Sequence, residues 1–221
     1  MIKLVVFDWN GTLIADTLTC MAAYNHVLDI FGGKEVNLKA FRSTMVFPVI
    51  DFYIKHGCKR KELLQSSKKL GEIFHTYYES SVLKLRTRKN TKKLLEWLYQ
   101  HNIELIILSN HTEEGIKSQL QRLRIKKYFS IVLANIALDS FMKLRNKKEK
   151  LEHYLEQHKL KTSEVIIIGD SKEELEMGKH IGVKTVAITN GFSTVSQLKR
   201  ANPDYLIDNL KQLITFVEKT N

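Results

Sequence analysis

Six short, non-alternating runs dominated by Val, Ile and Leu punctuate this 221-residue chain: LVVF (4–7), LIIL (105–108), IVLA (131–134), VIII (165–168), TVAI (185–188) and the weaker YLI (205–207). None shows the every-other-residue polarity of a strand with one wet face, so each must be covered on both sides. The stretches between them supply the cover. Leu94, Leu95, Trp97 and Leu98 precede the second run at helical spacing, Leu151, Tyr154 and Leu155 precede the fourth, and Leu175, Met177 and Ile181 follow it. The order β-α-β-α predicts an α/β fold built on a doubly wound parallel sheet.

One interval breaks the alternation. Between the first run and a helix beginning at Thr91, the chain carries helical patterns at 20–31, 38–45, 49–56 and 63–78 and no strand pattern. An insertion at the carboxyl end of a strand lies where open α/β sheets bind their ligands, so a lid is expected there. The predicted organisation is a Rossmann-like core of residues 1–15 and 86–221 with a helical cap domain, 16–85, inserted after the first strand.

Composition narrows the function classes. With 43% hydrophobic and 27% charged residues, the chain is neither disordered nor fibrous, and two prolines and ten glycines leave no linker that divides it. Cys20 and Cys58 lack C-x-x-C spacing, which fits a reducing compartment and packing roles. The opening apolar run is cut by Asp8 and is too short for a signal-peptide core or a membrane span, so a cytoplasmic protein without a membrane partner is expected. The net charge of +11 suits an anionic partner. Its lysines and arginines gather in helical stretches, 59–69 and 143–150, without interleaved aromatics, so they read as solvated helix faces and a nucleic-acid partner is not expected. Oligomeric state is not encoded legibly.

Two strand-ending acids carry the chemistry. Asp8 closes the first run and is followed by Trp9, Asn10, Gly11 and Thr12, a turn whose backbone amides can face an anion. Asp170 closes the fourth run, with Ser171, Glu173, Glu174 and Glu176 behind it; Asp170 and Ser171 are equal candidates for the cap of the next helix. Carboxylates at adjacent strand ends repel unless a cation or proton lies between them, and hard oxygen ligands of this kind suit Mg²⁺. The second run ends in Ser109 and Asn110, a hydroxyl and an amide suited to phosphoryl oxygens, and lysines at 143, 147, 148 and 150 precede the fourth.

The order acid, hydroxyl, lysine, acid is a specific constellation. VVFDWNGTL, ILSN, a downstream lysine and IIIGDSKEE resemble the four motifs of the haloacid dehalogenase (HAD) superfamily, over nearly the whole chain, and GVKTVAITNGF with PDYLIDNLKQL resembles the closing elements of its phosphoglycolate-phosphatase-like branch. The resemblance implies a Mg²⁺-dependent phosphatase acting on a small phosphorylated metabolite. It makes Asp8 the nucleophile that becomes an aspartyl-phosphate, and gives the metal Asp8, the Asn10 carbonyl, Asp170 and, through water, Glu174. It assigns the phosphoryl oxygens to Ser109 and the Asn110 amide, with the turn Trp9, Gly11 and Thr12 around them. Lys147 is the motif lysine, since Leu151 and Leu155 follow it at helical spacing, with Lys143 and Lys148 as alternatives. In the cap, Arg42 within FRSTMVFPVIDFY is placed to meet a distal anion of the substrate, or else is a helix-surface charge.

The chain departs from the pattern at Asn10. HAD phosphatases usually carry D-x-D-x-T, whose second Asp protonates the leaving alcohol and then deprotonates water; an amide does neither. Glu174 is likewise longer than the usual Asp. Slow turnover is therefore expected, or proton help from His111 or the cap's His26 and His56. Two further readings follow: a weakened phospho-ligand-binding or regulatory protein, and a dehalogenase, which needs no leaving-group acid.

Overall fold

The computed structural model describes residues 1–136 and 147–220. Among these, six parallel strands form one sheet: β1 (Leu4–Phe7), β2 (Glu104–Thr112), β3 (Ile131–Asn135), β4 (Val165–Gly169), β5 (Lys184–Ile188) and β6 (Tyr205–Ile207), in the spatial order β3-β2-β1-β4-β5-β6. This is the doubly wound α/β arrangement, with the strand order reversing at β1. A crevice opens there, at the carboxyl ends of β1, β2 and β4.

The absence of alternation in the apolar runs follows from the layering. Val5 and Phe7 face one apolar cluster with Ile107, Ile166 and Ile168, while Leu4 and Val6 face another with Ile106, Leu108 and Ile167. On the first face pack α6 (Thr91–Gln100), α7 (Glu113–Arg122) and α11 (Gln212–Thr220); on the second, α8 (Lys147–Gln157) and Met177 of α9 (Lys172–Ile181). The short α10 (Val195–Arg200) completes the alternation, started by Thr194, whose side chain accepts from Gln197 N.

Two elements differ from the sequence pattern. β2 runs on through Ser109, Asn110 and His111, with its register against β3 shifting between Leu108 and Thr112. These polar residues read as a loop because only one side of the extension is covered. The helical pattern 63–78 splits at Ser66 into α4 (Arg60–Gln65) and α5 (Ser67–Glu79), a break that apolar spacing alone does not show.

The interval after β1 holds α1 (Thr17–Ile30), α2 (Leu38–Thr44), α3 (Ile50–Lys55), α4 and α5. Its centre is aromatic: Tyr24 is ringed by Phe41, Phe52, Tyr53 and Phe74, with centroids 4.7–5.8 Å away, and each such pair adds about 0.5–1.5 kcal/mol beyond its buried area. The two connections to the sheet run antiparallel, Ala15 N donating to Arg86 O and Arg88 N to Leu13 O. No described helix is long and apolar enough to cross a membrane.

Candidate active site

Level strand ends build the floor. Phe7 lies opposite both Ile107 and Ile168 in the sheet register, so Asp8 emerges beside Leu108 and Gly169. Lys147, at the start of α8, reaches this edge: its ammonium donates to Asp8 Oδ1 at 2.9 Å and to Glu174 Oε1 at 2.6 Å, and stands 3.5 Å from Glu173 Oε2. Lys148 instead pairs with Glu152 on the surface, Lys150 donates to Ala134 O, and Lys143 lies outside the described residues.

Ser171, not Asp170, caps α9, accepting from Glu173 N, and so leaves the Asp170 carboxylate for the site. That carboxylate accepts from Phe192 N at 2.5 Å and from Thr12 Oγ1 at 3.2 Å. Glycines clear the space around it. A β-carbon on Gly11 or Gly191 would collide with Asp170, and one on Gly169 with Glu174. Glu174 is tied at both oxygens, accepting from Lys147 and from Ser171 Oγ at 2.6 Å. Ser109 Oγ accepts from His111 N, while Asn110 donates to Glu173 Oε2 at 2.9 Å and its carbonyl accepts from Asn135.

The electrostatics are unbalanced. Four carboxylates, Asp8, Asp170, Glu173 and Glu174, lie buried among the described residues; the Lys147 ammonium contacts Asp8, Glu173 and Glu174, while the charge of Arg88 acts on Asp170. Burial pushes Asp8 well above the ordinary carboxylate range, against the pull of Lys147, and raises Asp170 to about 7, with Glu174 adding repulsion. Lys147 is held charged well above its usual range because Asp8, Glu174 and Glu173 outweigh its own burial. An oxygen-only set of buried acids short of positive charge fits a hard divalent cation, and Asp8 and Asp170 with Glu174 behind them fit Mg²⁺.

The opposite wall is uncharged where it meets the pocket. Asn10 donates its amide to Asp16 Oδ2 at 2.6 Å and to Tyr78 Oη at 3.1 Å. Tyr78 itself donates to Asp16 at 2.7 Å, and Cys20 Sγ to the same oxygen at 3.4 Å, so this cysteine has a polar partner besides its packing. Burial raises the Asp16 carboxyl, opposed by these donors. Gly11 N also donates to Asp16, at 2.8 Å, and Thr12 N to the Trp9 carbonyl, so these two turn amides are engaged internally.

The pocket between the walls is lined by Asp8, Asn10, Ser109, Asn110, Lys147 and Asp170 on its polar side. Tyr24, Phe47, Phe74 and Phe192 line its apolar side, and His75 and His111 stand beside them. Arg42 does not line it; its guanidinium donates to the carbonyls of Gly191 and Asn190 at 2.9 and 3.0 Å. His26 stacks on Tyr77 and His56 bonds Thr44 Oγ1, both away from the pocket, whereas His111 lines it.

Sequence reasoning missed Asp16, Glu173, Tyr78, His75 and Arg88. Asp16 looks like an ordinary cap before α1, but its carboxylate turns back onto the β1 turn instead. Arg88 reads as a loop charge and proves to join the Gly11 and Thr189 carbonyls, at 2.6 Å each.

The family described as haloacid dehalogenase-like hydrolase matches residues 5–188. A phosphoglycolate phosphatase of Vibrio parahaemolyticus is 26% identical over 98% of this chain and 96% of its own length, and one of Pseudomonas fluorescens is 24% identical over 96% and 78%. Among solved structures, a haloacid dehalogenase-like hydrolase of Streptococcus pneumoniae superimposes with a TM-score of 0.81 at 21% identity over 98% of both chains. A phosphoglycolate phosphatase predicted from Haemophilus somnus gives 0.78 at 18%, again over 98% of both. Fold and sequence thus agree, and the chain belongs to the haloacid dehalogenase-like hydrolases, on their phosphoglycolate-phosphatase-like branch.

Proposed function

We propose that this phosphatase hydrolyses a small phosphorylated metabolite through an aspartyl-phosphate on Asp8, with Mg²⁺ as cofactor and residues 16–85 as its cap. The observation that carries the reading is the meeting of Asp8, Asp170 and Lys147 at one sheet edge. An Asp8 oxygen attacks phosphorus and the ester P–O bond breaks, its electron pair leaving with the alcohol. Water then attacks the same phosphorus, the bond to Asp8 breaks, and phosphate departs. Lys147, Ser109 and the Asn110 amide hold the phosphoryl oxygens and keep Asp8 aimed at phosphorus. Asp8, the Asn10 carbonyl and Asp170 would hold Mg²⁺, with Glu174 outside them. When bound, the ion supplies positive charge that offsets both the carboxylates and the phosphoryl group.

The proton steps are where this chain is weak. Asn10 stands where a carboxyl would protonate the leaving alcohol, and the nearest carboxyl behind it, Asp16, faces the turn and not the pocket. A positioned acid/base contributes about 10²- to 10⁴-fold, so turnover is slow on esters whose leaving group needs a proton. The distal end of the substrate meets Phe47, Phe74 and Tyr24, while Arg42 holds the loop after β5.

The test is phosphate release from a panel of small phosphate esters, phosphoglycolate first because relatives carry that name, with Mg²⁺ and with EDTA. Release should require Mg²⁺, and Asp8→Asn should lower it about 10⁴-fold or more, the scale of losing a covalent nucleophile. EDTA-insensitive release, or wild-type turnover in Asp8→Asn, overturns the reading.

A further inference from the structure

Beside the carboxylate floor, a second group of ligand-type side chains converges. His75 and Glu79 stand one turn apart on α5, and His111 lies on β2 two residues past Ser109. One ligand atom from each lies within 4.8 Å of the other two. His111 Nε2 is 3.3 Å from Glu79 Oε1, and the two imidazoles stack with centroids 5.1 Å apart. Around a tetrahedral zinc with bonds of about 2.0–2.2 Å, ligand atoms sit about 3.3–3.6 Å apart. One edge of the triangle therefore already has the bound length, and closing the rest requires about 1.5 Å of approach together with a rotation of the stacked rings that turns their in-plane lone pairs onto one point. Glu79 is 40% exposed and free to supply it.

A glycine keeps the space open. A β-carbon at Gly115, on the facing helix α7, would stand 2.9 Å from His111 Nε2 and 3.1 Å from Glu79 Oε1. Any other residue there would fill the volume next to these two ligand atoms. The histidines are buried, and burial together with the neighbouring His111 lowers His75 to about 3, so its ring is neutral, the form that binds metal.

We propose that His75, Glu79 and His111 form a second metal site, for a divalent transition metal of the Zn²⁺ class, that ties α5 to the end of β2. Two imidazoles and one carboxylate are the donor set zinc takes, whereas Mg²⁺ prefers oxygen alone. Three protein ligands leave a fourth position, and because both histidines line the main pocket, water or a substrate anion enters it from there. The site uses neither Asp8 nor Asp170, so it stands or falls separately from the phosphatase reading.

The test is a titration of the metal-stripped full chain, free of any affinity tag, with Zn²⁺ and in parallel with Co²⁺, in excess Mg²⁺ so that the oxygen site is filled. One equivalent should bind with Kd about 1 µM or below, with visible Co²⁺ absorption of a four- or five-coordinate site. Changing a ligand's supporting partner alone costs about 10- to 100-fold in metal affinity, so Glu79→Gln and His75→Gln should each lose at least that much. Glu79 is at the surface, so its variant keeps the fold even if the His75 variant does not. Asp170→Asn should still bind one equivalent. Wild-type affinity weaker than about 100 µM, unchanged affinity in Glu79→Gln, or loss of zinc in Asp170→Asn but not in Glu79→Gln overturns the proposal.

Discussion

The two walls of the pocket solve the same problem, a buried carboxyl group, in opposite ways. On the β1–β4 side, Asp8, Glu173 and Glu174 crowd around one ammonium, with Asp170 held by Phe192 N and Thr12 Oγ1, and the four stay short of positive charge. On the Asn10 side, Asp16 is surrounded by neutral donors from Asn10, Tyr78, Gly11 and Cys20. In the proposed reaction the first wall receives a cation and a phosphoryl group. The second is closed on itself and offers the pocket an amide. The difference teaches that, under the proposed mechanism, binding and proton transfer fall to two separate walls.

Converting one wall into the other is the strongest way to break that contrast. Asn10→Asp would place a carboxylate next to Asp16, at the position where the amide now lies 2.6 Å away. Two such groups cannot both ionise, so the pair would keep a proton near the pocket. If the missing acid limits turnover, the variant should hydrolyse alkyl phosphates about 10- to 100-fold faster, a fraction of what a positioned acid supplies. Aryl phosphates, whose leaving group departs as an anion, should gain about threefold at most. Steady-state rates on the two ester classes decide it, and equal rates before and after on both would show that Asn10 does not limit the reaction.

A second prediction concerns the charged wall alone. Asp8 and Asp170 are raised in the folded chain, so without metal they contribute stability that is present below the ordinary carboxylate pKa and is lost as pH rises towards about 7 for Asp170. Bound Mg²⁺ would compete with those protons. Its stabilising increment should therefore be small at pH 5 and grow as pH rises through about 7, the Asp170 value. At 100 times Kd that increment is about 2.7 kcal/mol, or about 5–10 °C in Tm for a chain of this size. Comparing Tm with and without Mg²⁺ at each pH cancels groups outside the wall, such as His75. An increment that shrinks with rising pH would contradict the assignment.

The smallest effect belongs to the neutral wall. Tyr78→Phe removes one donor to Asp16 and leaves the Asn10 and Gly11 donors in place. Denaturant unfolding should show a loss of about 1–3 kcal/mol, the range for weakening the satisfaction of a buried polar group. The ratio of alkyl to aryl turnover should stay unchanged, because the phenol does not supply the missing proton.

How far each wall was legible follows from how local its signals are. Asp8 and Asp170 could be read because each ends an apolar run, and the sheet register then brings them level without further information. For the lysine that the family resemblance calls for, helical spacing to Leu151 and Leu155 favours Lys147 but leaves Lys143 and Lys148 open. Asp16 was not legible: an acid before a helix predicts a cap, and only the return of the turn shows that its carboxylate serves Gly11 and Asn10. Tyr78 and His75 come from a helix whose start at Ser67 the apolar pattern did not separate from its predecessor. Arg42 lay on the helix that sequence placed it on, yet which carbonyls it meets depends on the loop after β5, 148 residues away.

That arginine gives the fold a mechanical link. Its Nε–H donates to the carbonyl of Gly191, and the next N–H, that of Phe192, donates to Asp170. Both groups belong to one peptide unit, which is planar and rotates as a whole. The unit is a lever with α2 at one arm and a pocket carboxylate at the other. A swing of α2 that kept the Arg42 hydrogen bond would tip the plane and turn its N–H off Asp170, coupling the helix to the carboxylate through the backbone.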